Sequence, residues 1–174
     1  MNAFQIRPIE KKDNQAVANI IRTVMTEFSC VGEGYSINDM EVDQMFESYD
    51  NERSQFYVIE NEKNKQILGC GGIAPLKGAD HSICELRKMY FLSELRGHGM
   101  GQRLLNICLG QAKELGFTMC YLETVSQMEA ANGLYLKNEF LKLNAPLGET
   151  GHCSCDLQYK KELISLNPFK ELLA

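Results

Sequence analysis

The chain predicts an α/β (α+β) domain: a mixed sheet with helices on both faces. Three observations lead to it. The periodicities run strand, two helices, several strands, then helix, strand, helix and two strands, an order that layers helices over a sheet. A glycine-rich turn joins an apolar strand to an amphipathic helix over Met89–Leu105. No repeat, linker or low-complexity segment divides the 174 residues, a length that one core accommodates.

The elements follow in order. Phe4–Arg7 alternates before Pro8 and reads as a first strand. Asp13 is placed to cap a helix over Asn14–Phe28, whose Val17, Ile20, Ile21, Val24, Met25 and Phe28 recur at helical spacing. A loop with Gly32 and Gly34 follows, a plausible rim for a pocket. Asn38 with Glu41 then has the form of a capping box for a second short helix. Gln55–Glu60 and Gln66–Ala74 read as a hairpin, with Gly69, Gly71 and Gly72 marking a bulge or a close approach to the backbone. Ile83–Leu92 is the strand that feeds the glycines. Leu104, Leu105, Cys108, Leu109, Ala112 and Leu115 form the next helical stripe, which Gly116 ends. Phe117–Thr124 is a strand, Ser126 and Glu129 suggest a capping box, and Ala130, Ala131, Leu134 and Tyr135 lie on the last helix. Phe140–Leu143 and a segment in which Cys155, Leu157 and Tyr159 alternate are the final strands.

Composition narrows the functions. Hydrophobic and charged fractions of 44% and 24% are those of an ordinary globular protein. A net charge of -5 argues against a nucleic-acid partner. No apolar run approaches a membrane span, and the segment Met1–Pro8 lacks the apolar centre of a signal peptide, so the cytoplasm is the expected location. Seven cysteines, most inside apolar segments, read as reduced and buried. His152, Cys153 and Cys155 lack metal-site spacing and a second ligand pair, so no metal is expected. They read instead as strand residues sharing a face.

The glycine turn, Arg96-Gly97-His98-Gly99-Met100-Gly101-Gln102, opens a helix whose first N–H groups are unpaired, which makes it a cradle for phosphates. It is not a P-loop, because Gln102-Arg103-Leu104 stand where Gly-Lys-Ser/Thr would be needed. A dinucleotide site fits poorly. Gln102 takes the third glycine position, and Ser93–Arg96 separate the glycines from their strand.

Arg96-x-x-Gly99-x-Gly101, together with Leu122-Glu123-Thr124, Ala131, Leu134-Tyr135 and Phe140 downstream, resembles the acetyl-CoA-binding core of the GNAT acetyltransferase superfamily. The loop Pro146–His152 with Cys155-Asp156 resembles small bacterial members of unassigned substrate. The resemblance implies a largely antiparallel sheet of six or seven strands. It implies one catalytic domain over residues 1–163 with a tail at 164–174, either a short docked helix or frayed. Dimers are common in the family. Two departures stand out: Glu139 where members usually have Gly, and Met128 where many have Asn.

Acetyl-CoA is then the cosubstrate, and acetyl passes directly to a small amine or peptide amine without a covalent enzyme intermediate. The resemblance assigns the pyrophosphate to the backbone of Gly97, His98, Gly99, Met100, Gly101 and Gln102, with the Arg96 side chain able to reach a phosphate. Met89 and Phe91 would flank the pantetheine arm. Glu85 matches a family base position; partial burial would raise its pKa toward the working pH, while pairing with Arg87 or Lys88 is the plain alternative. Glu123 or a water chain are other bases. Tyr135 matches the tyrosine that faces the CoA sulfur, and its alternative is core. His98 reads as a turn residue and His152 as a possible substrate contact. A non-catalytic CoA-binding module remains the competing function. Net acidity leans toward a cationic amine.

Overall fold

The computed structural model describes residues 4–163. The sequence-predicted tail at 164–174 lies outside the described residues. Seven strands form one sheet: β1 (Phe4–Pro8), β2 (Gln55–Asn61), β3 (Ile67–Pro75), β4 (Ile83–Phe91), β5 (Met119–Thr124), β6 (Leu141–Lys142) and β7 (Leu157–Glu162). Four helices join them: α1 (Asn14–Glu27), α2 (Met45–Tyr49), α3 (Met100–Glu114) and α4 (Glu129–Lys137). The spatial order is β1-β2-β3-β4-β5-β7-β6. Every pairing is antiparallel except β4 with β5, where α3 supplies the crossover that a parallel step requires. The expected mixed, largely antiparallel sheet is what forms.

Strand alternation sorts side chains onto two faces. Tyr57 and Ile59 join Leu104, Leu105, Cys108, Tyr135 and Phe140 in the core beneath α3 and α4. Phe56 and Val58 join Val17, Ile21 and Met45 beneath α1 and α2. Helices therefore cover both faces.

The β3–β4 ladder carries the feature that builds the site. Its register shifts between Cys70/Gly72, where Cys70 pairs with Tyr90 and Gly72 with Arg87. Lys88, inside the irregularity, takes a left-handed φ of 53°. On the other edge of β4, the ladder with β5 ends after Glu85 and Tyr121, just ahead of this irregularity. A bulge has this effect, because the extra residues kink and twist the strand. At Gly69 a Cβ would fall 2.6 Å from Phe91 Cδ1 and 2.7 Å from Leu95 Cδ2, so both sequence signals, bulge and close approach, are present.

Several local expectations need correction. Asp13 makes no side-chain cap on α1; its carboxylate accepts from Arg7 and from the Glu10 amide instead. Asn38 and Glu41 do not form a capping box. Ser36–Asn38 and Met40–Asp43 are 3-10 turns, and α2 starts only at Met45, because Asp39 and Glu41 are drawn to Lys88. Ser126 does not cap α4, whose N-cap is Met128; the Ser126 amide donates to Asp156. Cys155 precedes β7 and sits in a turn rather than a strand.

Candidate active site

The turn after β4 brings the predicted phosphate cradle together. Gly97 and Gly99 have φ of 80° and 72°, and a Cβ on either would meet nothing. Backbone conformation, not space, is what calls for glycine at Gly99, the N-cap of α3. From Gly97 to Gln102 no backbone N–H has an acceptor among the described residues, the first bond being Arg103 N–H to the Gly99 carbonyl. These donors sit at the positive end of α3.

A cleft of about 640 Å³ opens in front of them. Met89, Phe91, Leu95 and Met100 form one wall and Ala131, Leu134 and Tyr135 the other. The gap where β4 and β5 part is thus an elongated, mostly apolar slot ending in amide donors. Its shape suits a pantetheine arm with a pyrophosphate at one end.

Not every predicted contact points inward. The Arg96 guanidinium is spent on Glu27 of α1, at 2.5 and 2.6 Å, and its Nε donates to the Phe91 carbonyl at 3.0 Å. It braces the turn against α1. His98 is exposed and lies edge-on to Phe4, its ring centroid 5.2 Å away. Gln102 exchanges amide hydrogen bonds with Asn138, at 2.7 and 2.9 Å, which fastens α3 to the end of α4. Only its backbone faces the cradle.

A second, smaller chamber of about 60 Å³ lies between β4 and β5. It shares Met89, Tyr90, Met128, Ala131 and Tyr135 with the cleft and adds Glu85, Glu123, His152 and Cys155. Glu85 is buried, and its Oε2 accepts from Arg87 Nε at 2.5 Å. Burial raises its pKa, an effect that the Arg87 charge and hydrogen bond only partly oppose. Its Oε1 accepts no hydrogen bond among the described residues and keeps some exposure to the chamber. Tyr135 lies in both cavities, its ring against Phe140 and Tyr159. Its hydroxyl is likewise unbonded among the described residues, and burial pushes its pKa upward, which keeps the phenol protonated. The ring of Tyr135 packs as the core reading has it, and its hydroxyl makes no hydrogen bond among the described residues.

Glu123, the alternative base, has both oxygens engaged, by the Tyr121 hydroxyl at 2.6 Å and the Thr150 hydroxyl at 2.8 Å. His152 enters the site from the β6–β7 loop, with Nε2 3.0 Å from Asp39 Oδ2 and Nδ1 3.8 Å from Glu123 Oε2. Asp39 also accepts from Lys88 Nζ. Burial alone would raise Asp39; the His152 hydrogen bond and the Lys88 charge outweigh it and hold the carboxyl below the usual range. Sequence reasoning missed Asp39, Glu41, Arg87 and Lys88 as a connected set. Of the two departures, Met128 lines both cavities, whereas Glu139 follows the C-cap of α4, Asn138, and lines neither. Among the described residues no group of His, Cys, Asp and Glu is arranged to hold a metal ion.

An antiparallel sheet split at one parallel step, with an amide cradle at the head of the split, defines an acyl-CoA-binding class of protein. Residues 18–140 match the family model described as Acetyltransferase (GNAT) family. The chain is 38% identical over 159 residues to the uncharacterized N-acetyltransferase YjgM of Escherichia coli K12, covering 91% of this chain and 94% of that one. A GNAT-family acetyltransferase structure from Staphylococcus aureus Mu50 superposes with a TM-score of 0.82 at 20% identity, covering 93% of this chain and all of that one. YncA of Salmonella typhimurium, solved with its cofactor acetyl-CoA, gives 0.73 at 18% identity, with 94% and 95% covered. The chain belongs to the GNAT family. It is an acetyltransferase, and acetyl-CoA is its cosubstrate. No helix among the described residues is long and apolar enough to cross a membrane.

Proposed function

We propose that this enzyme moves acetyl from acetyl-CoA to a primary amine by direct attack in a ternary complex. The observation that carries the reading is the pair of joined cavities. One is long, apolar and ends in amide donors; the other is small and holds a free carboxylate oxygen; Tyr135 stands at their junction. Pyrophosphate lies on the amides from Gly97 to Gln102, and the pantetheine arm runs between Met89 and Phe91 of β4 and Leu134 of α4. The unpaired edge of β4 offers it peptide groups.

Glu85 takes a proton from the ammonium form of the acceptor. The freed nitrogen lone pair attacks the thioester carbonyl, the tetrahedral adduct collapses and the C–S bond breaks. Tyr135 gives its proton to the departing sulfur and regains one from the acylated nitrogen. The proton on Glu85 leaves to solvent, so the sum is acetylamine, CoA thiol and one released proton. The raised pKa of Glu85 suits a base, and the raised pKa of Tyr135 suits a donor.

Replacing Tyr135 by Phe tests this. Turnover should fall by about tenfold to a hundredfold, the scale of a lost acid contribution, with acetyl-CoA affinity unchanged. Equal turnover, with chemistry shown to be rate-limiting, removes Tyr135 from the role. A non-catalytic module would release no thiol with any amine.

A further inference from the structure

We propose that the acceptor is a small zwitterion, a primary amine that also carries a carboxylate, bound with its carboxylate on Arg87 and its amine toward Glu85. This rests on the transferase reading above and narrows its substrate. It also reverses the lean toward a cationic amine drawn from net charge.

The Arg87 guanidinium lines the reaction chamber and also a third cavity of about 350 Å³, which shares Arg87 and His152 with it. Only Nε is spent, on Glu85. Neither terminal amino group makes a hydrogen bond of normal geometry among the described residues; the buried Tyr49 hydroxyl lies beside the guanidinium, and the nearest carboxylate to Nη1, on Glu41, stands at 3.9 Å. The bond to Glu85 fixes the plane of the guanidinium, so two parallel N–H groups are presented in a set direction. That fork matches a carboxylate bidentately. A rigid guanidinium with unspent donors in a cavity wall calls for an anionic group from outside.

The remaining charges agree. Glu85 is paired with Arg87, Asp39 and Glu41 share Lys88, and both oxygens of Glu123 accept from hydroxyls, so the acids around the cavities are engaged by partners of their own. Lys77, exposed at the outer cavity, has no ion-pair partner among the described residues. It adds a second positive group on the side where Arg87 faces outward. The outer cavity also carries Asp39 and Glu41, but Lys88 engages both, so the charged groups left without a full partner there are Arg87 and Lys77, which face a second ammonium of a polyamine. The free Oε1 of Glu85 answers the amine. A chamber of about 60 Å³ admits that amine, and the outer cavity takes the rest of a small molecule.

The test is thiol release from acetyl-CoA by the wild-type enzyme with free L-amino acids, their carboxamides and the matching decarboxylated amines, including lysine, lysinamide and cadaverine. At least one free acid should exceed its amide and its amine in kcat/KM by about tenfold to a hundredfold, the scale of a charged bidentate contact. Lys77→Ala should raise KM for that acid severalfold, and by more than it raises KM for the amide. Arg87→Gln should bring the acid-to-amide ratio close to one, a change that general damage to the site does not produce; should it fail to fold, the substrate panel and Lys77→Ala still decide. Amides or diamines used as well as every acid overturn the proposal. So does a lack of turnover with all acids while a thermal shift shows acetyl-CoA bound. Failure to bind acetyl-CoA overturns the transferase reading itself, and this inference with it.

Discussion

Lys88 holds a left-handed φ of 53° in the middle of a strand, and its ammonium reaches Asp39 and Glu41. A side chain in that backbone region costs about 1–2 kcal/mol, so the ion pairs must outweigh it. Lys88→Ala keeps the strain and removes the clamp, which leaves the Asp39 carboxylate half-buried; a loss of about 3 kcal/mol is expected. Lys88→Gly removes the clamp but relieves the backbone, so it should be the more stable of the two. Urea midpoints of both variants check this, and alanine above glycine contradicts the strained bulge. Glu85 poses a different question. Burial raises its pKa, so kcat/KM should decline as pH falls through a midpoint above the ordinary glutamate range. The same shift makes the native state bind that proton more tightly than the unfolded chain. The associated stability is full at low pH and is lost as pH rises through the folded value. Glu85→Gln should abolish both the acidic limb and this slope; a limb that persists assigns it to another group. Glu85 and Tyr135 became candidates through the resemblance to the family, which the glycine turn and the residues downstream of it carry. The clamp was not, because Lys88 and Asp39 are 49 residues apart and no local pattern announces a strand residue with positive φ.

At the scale of elements, the long stripes were legible and the short pieces were not. α1 and α3 bury the apolar positions that their spacing indicated except Phe28 and Leu115, which are the half-buried C-caps, because a stripe with few alternatives decides a helix. The stretch after Gly34 shows only 3-10 turns and the five residues of α2, since its acids serve tertiary partners instead of a cap. The end of α4 explains one sequence departure. Phe140 N–H bonds the Tyr135 carbonyl and Glu139 N–H bonds that of Leu136, the paired bonds of a Schellman motif with Glu139 at the left-handed position. Its φ of 62° is why glycine is usual there. Glu139 gains only an exposed ion pair with Lys161 at 3.1 Å, worth about 0–1 kcal/mol. Glu139→Gly should therefore stabilise the protein by about 0.5–1 kcal/mol without altering acetyl-CoA affinity, because the side chain lies outside the cleft. A destabilised variant in thermal or urea melts counts against this account.

Across the whole molecule, the sheet is continuous on one side of β4 and split on the other. β4 and β5 share only the pairs from Ile83 to Glu85; below the split the α4 half is joined to α3 through the shared core around Tyr135 and Phe140, and at its rim through Gln102 with Asn138 and Leu134 near Gly101. A ligand lying in the split touches both halves and binds only when they are held together, so it stabilises the native state alone. Acetyl-CoA at a hundred times its Kd should add about 2.7 kcal/mol, and at this chain length that moves the melting temperature by about 5–10 °C. Gly99→Ala separates the contributions. Its Cβ meets nothing, so the fold should lose only about 1–2 kcal/mol of backbone strain, while the amide cradle that Gly99 orients is disturbed. The variant should melt a few degrees lower without ligand and recover much less with acetyl-CoA than wild type does. An equal ligand-induced shift in the two proteins would mean that the cradle at the head of α3 does not carry the pyrophosphate.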